Sequence, residues 1–187
     1  MKQFNQNPFK KTLLKGLLDS QGFIGSSSQG NVKDKKGFFL GFRKGFTVFD
    51  LERSLTTYLK ALNLVKIFNE SSLQVLFVGA PLSLESFIQK ELEKTRHVFI
   101  REDSWVLGSL TNYVQSGLYP DLIITFNSHN SFASKECFKR GVPLISFVDD
   151  SCDIAYIDYP ILVNLKSQGV SHMYYNLIKQ CSSNNNV

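Results

Sequence analysis

Residues 141–164 read GVPLISFVDDSCDIAYIDYPILVN. Two apolar runs, PLISFV (143–148) and YPILV (159–163), flank a stretch that holds Asp149, Asp150, Asp153 and Asp158. Short continuous runs of β-branched and aromatic residues are what a strand buried on both faces looks like, as in a parallel sheet. Acids just past the carboxyl end of such a strand are where many α/β enzymes hold a metal or a phosphoryl group. The stretch therefore poses two questions, one about the fold and one about catalysis.

Upstream, the alternation continues. LQVLFVG (73–79) reads as a buried strand, SLESFIQKELEKT (83–95) as an amphipathic helix, HVFI (97–100) and DLIITF (121–126) as strands, and SFASKECFKRG (131–141) as a helix closed by Gly141. SQGVSHMYYNLIKQ (167–180) is the last helix, followed by a polar tail. Strands separated by helices predict a mainly parallel sheet covered on both faces. In the first fifty residues, Lys10–Ser20 has a helical pattern with Leu13, Leu14, Leu17 and Leu18 on one face. GFIGSSSQGNVKDKKG is loop-like, and FFLGFRKGFTVF predicts a small hairpin. Asp50 is placed to cap a helix carrying Leu51, Leu55, Tyr58, Leu62 and Val65. The expected organisation is one domain over 1–187. It has a basic N-terminal helix, loop and hairpin (1–50), an α/β core (51–181) and a polar tail (182–187).

Composition narrows the function. The chain has 187 residues, a net charge of +5 and a 43% hydrophobic share, which suits a globular protein with a polyanionic partner. No apolar run approaches the roughly 20 residues of a membrane span. Cys137, Cys152 and Cys181 are isolated, without metal-ligand spacing. The N-terminus lacks the apolar core of a secretory signal and the Arg and Ser richness of an organelle presequence. The expectation is that the protein acts where it is made, or that a presequence has been removed. Sixteen Phe against one Trp point to AT-rich coding and hence to an organelle.

Catalytic signatures are missing from the chain. GAPLSLES follows the strand LQVLFV, with a Pro where a phosphate loop needs backbone donors. There is no GxSxG elbow, and Cys137 has no His near it in sequence. His97, His129 and His172 have no ligand spacing. Asp149 and Asp150 resemble the acidic pocket of a phosphoacceptor domain. Such a domain also needs acids after its first strand and a Lys after a later one. Turn chemistry is the better reading: Asp and Ser satisfy backbone N–H groups where the chain leaves the sheet.

Several motifs together resemble small-subunit ribosomal protein two in its bacterial and organellar form. FTVFDLERSL (46–55) is similar to that family's "IDL(E/D)KT" entry into a long helix. SWVLGSLTNY (104–113) matches its Trp, Gly and Leu-Thr-Asn pattern through Trp105, Gly108, Leu110, Thr111 and Asn112. PDLIITFN, KECFKRGVPLISFVDDSCD and IDYPILVN fit "PDL…D", "KEA…GIP…VDTNCD" and "DYPIPGN" in order. The resemblance implies a flavodoxin-like three-layer fold that binds small-subunit rRNA and neighbouring ribosomal proteins. It implies no reaction, cofactor, small-molecule substrate or membrane. It also implies that Asp149, Cys152, Asp153, Asp158, Tyr159 and Pro160 are structural, along with Trp105, Gly108, Thr111 and Asn112. The alternative is an α/β enzyme or receiver-like module using Asp149 and Asp153.

Departures from the family pattern are informative. The coiled-coil insertion of bacterial relatives, expected between the Leu-Thr-Asn motif and PDL, is replaced by YVQSGLY. The family's "VHFGH" aligns with Gly22–Ser26, so both histidines are gone and no metal site is expected there. This erosion, with the AT-rich flavour, points to the small subunit of a mitochondrial ribosome. The expected RNA contacts are Lys10, Lys11, Lys15, Lys33, Lys35, Lys36, Arg43 and Lys44. Phe38, Phe39 and Phe42 lie among them and are expected to pack inward rather than stack on bases.

Overall fold

The fold is taken from a computed structural model, which describes residues 8–26, 37–112, 116–126 and 131–182. In chain order the elements are α1 (Pro8–Asp19), β1 (Phe39–Arg43), β2 (Phe46–Phe49), α2 (Leu51–Glu70), β3 (Val75–Val78) and α3 (Leu82–Leu92). There follow β4 (Val98–Ile100), β5 (Leu122–Thr125), α4 (Ser131–Arg140), β6 (Leu144–Val148), β7 (Tyr159–Leu162) and α5 (Gln168–Ser182). Strands β1 and β2 form an antiparallel hairpin. The other five form a parallel sheet in the order β4-β3-β5-β6-β7. Numbered within that sheet, the order is 2-1-3-4-5, that of flavodoxin-like doubly wound folds.

The two faces of the sheet follow from strand geometry, since successive side chains point to opposite sides. Val75 and Phe77 join the core formed with α1, α2, α3 and α5, whereas Leu76 and Val78 join Leu110, Ile123, Cys137 and Leu144 under α4. Helices on both faces were expected, and both faces carry them. Cys137 is fully buried in that second core, and burial pushes its thiol up to about 12.

Local chemistry starts and stops the elements as their sequences suggest. The Arg53 N–H donates to Asp50 Oδ1 at 3.1 Å, so Asp50 caps α2. Behind it Leu51, Ser54, Leu55, Tyr58, Ala61 and Val65 form the buried stripe, with Leu62 only partly covered. Gly141, at φ 73°, ends α4 in the left-handed conformation that its missing Cβ permits. In α1 the expected apolar face is narrower than its sequence: Leu13 and Leu17 are buried, Leu14 partly so, and Leu18 is 49% exposed. The helix meets α2 and α5 along a single stripe, and Leu18 lies one step around from Leu17, at the end of the helix.

Acids begin the sheet at its amino-terminal edge. Asp121 Oδ2 accepts the Gln74 N–H at 2.8 Å, and Asp158 Oδ2 accepts the Leu144 N–H at 2.9 Å. Each carboxylate stands one residue before its own strand and closes the open end of the neighbouring one. These are the acids of the PDL and DYPI motifs.

Candidate nucleic-acid interface

The acid cluster at the opposite edge is occupied with its own backbone. Asp149 Oδ1 accepts the Ser151 N–H at 3.0 Å, the Ser151 hydroxyl at 2.6 Å and the Cys152 thiol at 3.0 Å. Asp153 Oδ1 accepts the Ala155 N–H at 3.0 Å. These are side-chain turns, which satisfy donors where the chain leaves a strand. Asp150, 2% exposed, reaches much further. Its Oδ2 accepts the Ser26 N–H at 2.9 Å, the Ser26 hydroxyl at 2.7 Å and the Thr47 hydroxyl at 2.8 Å.

A cleft of about 420 Å³ lies at these carboxyl ends, where flavodoxin-like sheets hold ligands. Ala80 and Pro81 line it after β3, Phe126 after β5, Asp149 and Asp150 after β6, and Asn164 to Lys166 after β7. Its charged groups are Glu102, Asp149 and Asp150 against Lys166, a balance that repels a phosphate ligand. Pro81 precedes α3 and offers no N–H there. Asp153 is exposed and does not line the cleft, so the two acids of the enzyme alternative are not brought into one pocket.

The N-terminal third is built onto this edge. Residues 22–26 run beside β2: the Phe49 N–H donates to Phe23 O at 2.9 Å and the Gly25 N–H to Thr47 O at 2.9 Å. Only glycine fits at position 25, since a Cβ there would collide with Thr47 Oγ1 and come within 2.9 Å of the Phe49 ring. Phe38 and Phe39 are half-buried against the small core of Phe49, Val148, Cys152 and Leu162. The Arg53 guanidinium lies over the Phe38 ring at 4.7 Å and donates to Gly37 O at 3.0 Å. Phe42 departs from the expected inward packing and is 52% exposed. It pairs with Thr47 near the hairpin turn, where no described residue covers it. Leu40 and Phe46 are exposed beside it.

The expected RNA contacts separate into three groups. Arg43 and Lys44 are exposed at the hairpin turn, and Lys11 and Lys15 are exposed on α1. Lys10 stands apart: it is 7% exposed, and its ammonium lies 3.5 Å from the Glu52 carboxylate on α2. It is held there because the α1 stripe packs against α2, which turns position 10 inward. Lys33, Lys35 and Lys36 lie outside the described residues.

On the other face, residues 105–112 run through turns packed on the second core and are held by α4. The Glu136 carboxylate, 8% exposed, accepts the Gly108 N–H at 2.9 Å and the Leu110 N–H at 3.0 Å. Arg140 Nη1 donates to Leu110 O at 2.8 Å. Leu110 is fully buried and Trp105 partly covered, both packed on the second core, while Thr111 and Asn112 are exposed. Tyr159 and Pro160 are half-buried in β7, and Cys152 is buried under the hairpin. Sequence reasoning left out Asp150, Glu136 and Arg140 as organising residues. Glu136 sits inside the quoted KEC motif, but its partners are 26 and 28 residues away.

Comparison with known proteins places this geometry. A sequence model described as Ribosomal protein S2 matches residues 17–117 and 114–184. The chain is 24% identical over 188 residues to the small ribosomal subunit protein uS2m of Schizosaccharomyces pombe, across 86% of this chain and 70% of that protein. It is 22% identical over 199 residues to the small ribosomal subunit protein uS2 of Coprothermobacter proteolyticus, across 81% of this chain and 74% of the relative. A uS2 of Dehalococcoides mccartyi is 24% identical over 202 residues and is covered to 82%, as is this chain. With a sheet in flavodoxin-like order, an acid cluster engaged in turns, and a family match running from the first helix to the last, the chain belongs to the ribosomal protein S2 family.

Proposed function

We propose that this chain is a structural constituent of the small ribosomal subunit and catalyses no reaction. The observation that carries the reading is the family match along nearly the whole chain. The acid cluster is compatible with it, because its carboxylates are engaged with backbone and hydroxyl donors. Sedimentation tests it: the protein should co-migrate with small subunits in a gradient. A pool that remains free and turns over a phosphate ester, with the turnover abolished by Asp149→Asn with Asp153→Asn, would overturn it.

Within that role, the basic N-terminal third faces rRNA. Arg43 and Lys44 at the hairpin turn and Lys11 and Lys15 on α1 are exposed, and Lys33, Lys35 and Lys36 add charge in the intervening sequence. Each phosphate contact releases counterions, so its loss lowers the salt slope of binding by roughly 0.7–0.9. Lys33/Lys35/Lys36→Ala should weaken binding to a small-subunit rRNA transcript and flatten its salt slope. Lys90/Lys94→Ala, exposed at the end of α3 and in the turn that follows it, should do neither. Equal effects from both would place the RNA-facing surface elsewhere.

The ribosome in question is mitochondrial. The AT-rich composition and the short segment in place of a coiled-coil arm support this, and one relative is named as a mitochondrial form. Bacterial relatives match at similar identity, so the composition and the lost arm carry this part. A tagged chain followed through organelle fractionation should enter mitochondrial small subunits, and its recovery in another ribosome would refute the location.

A further inference from the structure

We infer that the outer edge of β4 is a strand-addition site, which pairs with an extended segment of a neighbouring protein when the chain is built into a subunit. The inference rests on the reading of the chain as a constituent of the small subunit.

The parallel sheet has two edges, and they differ. In a strand, the peptide groups of alternate residues point to opposite sides. On β7 the Val163 N–H donates to Val148 O at 3.1 Å, so Ile161 and Val163 face β6 while Pro160, Leu162 and Asn164 face outward. That edge is blunted. Pro160 has no N–H, Leu162 O accepts the Ser54 hydroxyl at 2.7 Å, and the Asn164 N–H donates to Gly22 O at 2.9 Å. On β4 the Gly79 N–H donates to Ile100 O at 3.0 Å, so Val98 and Ile100 face β3 and Phe99 faces outward. The Phe99 N–H and C=O meet no partner among the described residues. All three residues of β4 are half-buried, whereas β3, β5 and β6 are buried throughout. An open donor and acceptor on one residue are matched by another backbone at strand spacing, about 4.8 Å away.

The surroundings select the occupant. A groove of about 680 Å³ runs between α3 and β4, lined by Ser86, Gln89, Glu93, Val98 and Phe99. Val106 and Leu107, 69% and 65% exposed, stand in the turns that follow β4. A second copy of the chain fits poorly. β4 has 3 residues, a seam about 10 Å long, far short of the roughly 1,000 Å² that a specific interface buries. RNA fits poorly too, because Glu93, Glu102 and Asp103 are exposed on either side of the strand and repel phosphate. An extended protein segment can pair with Phe99, place a side chain in the groove and continue past the seam. A basic residue in that segment complements Glu102 and Asp103 where β4 ends.

The experiment compares the free full chain with purified small subunits that contain it. Hydrogen exchange is read residue by residue across β4, and a benzophenone photo-cross-linker is placed at position 89 in the groove. The Phe99 amide should exchange readily in the free chain and at least about tenfold more slowly in the subunit. Val98 and Ile100, paired to β3, should be slow in both. The cross-link should join position 89 to a segment of another ribosomal protein, and it supports the inference only together with the protected Phe99 amide. Gln89→Trp fills the groove from an exposed position, and Val106→Asp with Leu107→Asp removes the exposed apolar pair. Each should lower incorporation against co-expressed wild type about fivefold, with thermal unfolding of the free chain unchanged.

A Phe99 amide that stays unprotected in the subunit overturns the inference. So does a cross-link to rRNA or to a second copy of this chain, and so does wild-type incorporation of both variants. In each of those results the chain is still found in small subunits, so only the strand-addition site falls. If the wild-type chain does not enter small subunits at all, the constituent reading falls first and this inference with it.

Discussion

The two faces of the same five strands combine burial and polar links in different proportions. The helical face has buried hydroxyl bonds of its own, Ser54 to Leu162 O at 2.7 Å and Tyr58 to Met173 O at 2.9 Å, beside a much larger apolar core. On one face, four helices cover a run of stacked rings. Phe126 lies between Phe77 and Phe147 at 5.9 and 6.1 Å, and Tyr174 meets Phe126 and Phe147 edge-on at 5.0 and 4.6 Å. On the other, a single helix among the described residues, α4, and the turns of residues 105–112 cover a smaller core, and polar links hold them in place. Glu136 and Arg140 hold the segment, and the Thr125 and Ser146 hydroxyls pair at 2.6 Å between β5 and β6. Apolar burial is non-directional and grows with area, whereas a hydrogen-bonded link depends on the identity of two or three atoms. The first face should therefore be sensitive to volume and the second to chemistry.

Truncation of the ring stack gives the largest expected effect. Phe147→Ala removes a fully buried ring and should cost about 3–5 kcal/mol in urea unfolding, a large share of a typical domain's stability. A loss below about 1 kcal/mol would break the comparison, because it would mean that the helical face is not close-packed.

Acid should loosen the helical side at His97, at the entry to β4. The ring is 5% exposed, and its Nδ1 accepts the Val75 N–H at 3.1 Å. Burial, reinforced by the neighbouring Arg96 charge, pushes its pKa down from 6.5 to about 4. The unfolded chain then takes up a proton near pH 6.5 while the folded one does not. Stability from this site is complete above pH 6.5 and is lost as pH falls towards 4, by an amount on the order of 3 kcal/mol. His97→Asn keeps an acceptor but cannot titrate. Its unfolding free energy should fall less steeply between pH 7 and 4 than that of wild type, and parallel curves would show that His97 titrates normally.

The other face gives a smaller and more specific effect. In Glu136→Gln the amide NH2 replaces one acceptor oxygen and faces the N–H of Gly108 or Leu110. The expected loss is about 1–3 kcal/mol, with faster hydrogen exchange at those two amides. Unchanged exchange would mean that packing alone holds the segment. The smallest effect is expected at Phe138 on α4, which is 66% exposed and lies against the partly exposed Tyr156 ring at 5.2 Å. Phe138→Ser should stay within about 0.5 kcal/mol of wild type, and a larger loss would mean that this face relies on apolar area after all.

Much of this architecture is legible in the chain because its causes are local. PLISFV and YPILV read as strands from their composition, the Asp50 cap from its place before a periodic run, and the α4 stop from Gly141. Four details were beyond that reach. Leu18 belongs to the apolar pattern but lies off the contact stripe, Phe42 belongs to an aromatic run but lies at an uncovered turn, and Lys10 looks like a free cation but meets Glu52. Asp150 looks like its neighbour Asp149 until the fold brings Ser26 and Thr47 to it. In each case the deciding partner, or its absence, belongs to another element.

By itself, then, the sequence determined the alternation of strand and helix, the caps and the family motifs, because side-chain periodicity and capping act over a few residues. Tertiary structure alone decided which of two adjacent acids became a turn and which a junction. Asp149 takes up the donors of Ser151 and Cys152 beside it, and Asp150 reaches Ser26 and Thr47 across more than a hundred residues. It also decided that stacked rings lie on one face of the sheet and the Glu136 and Arg140 links on the other, because the side chain that meets a given atom is fixed by packing, not by position along the chain.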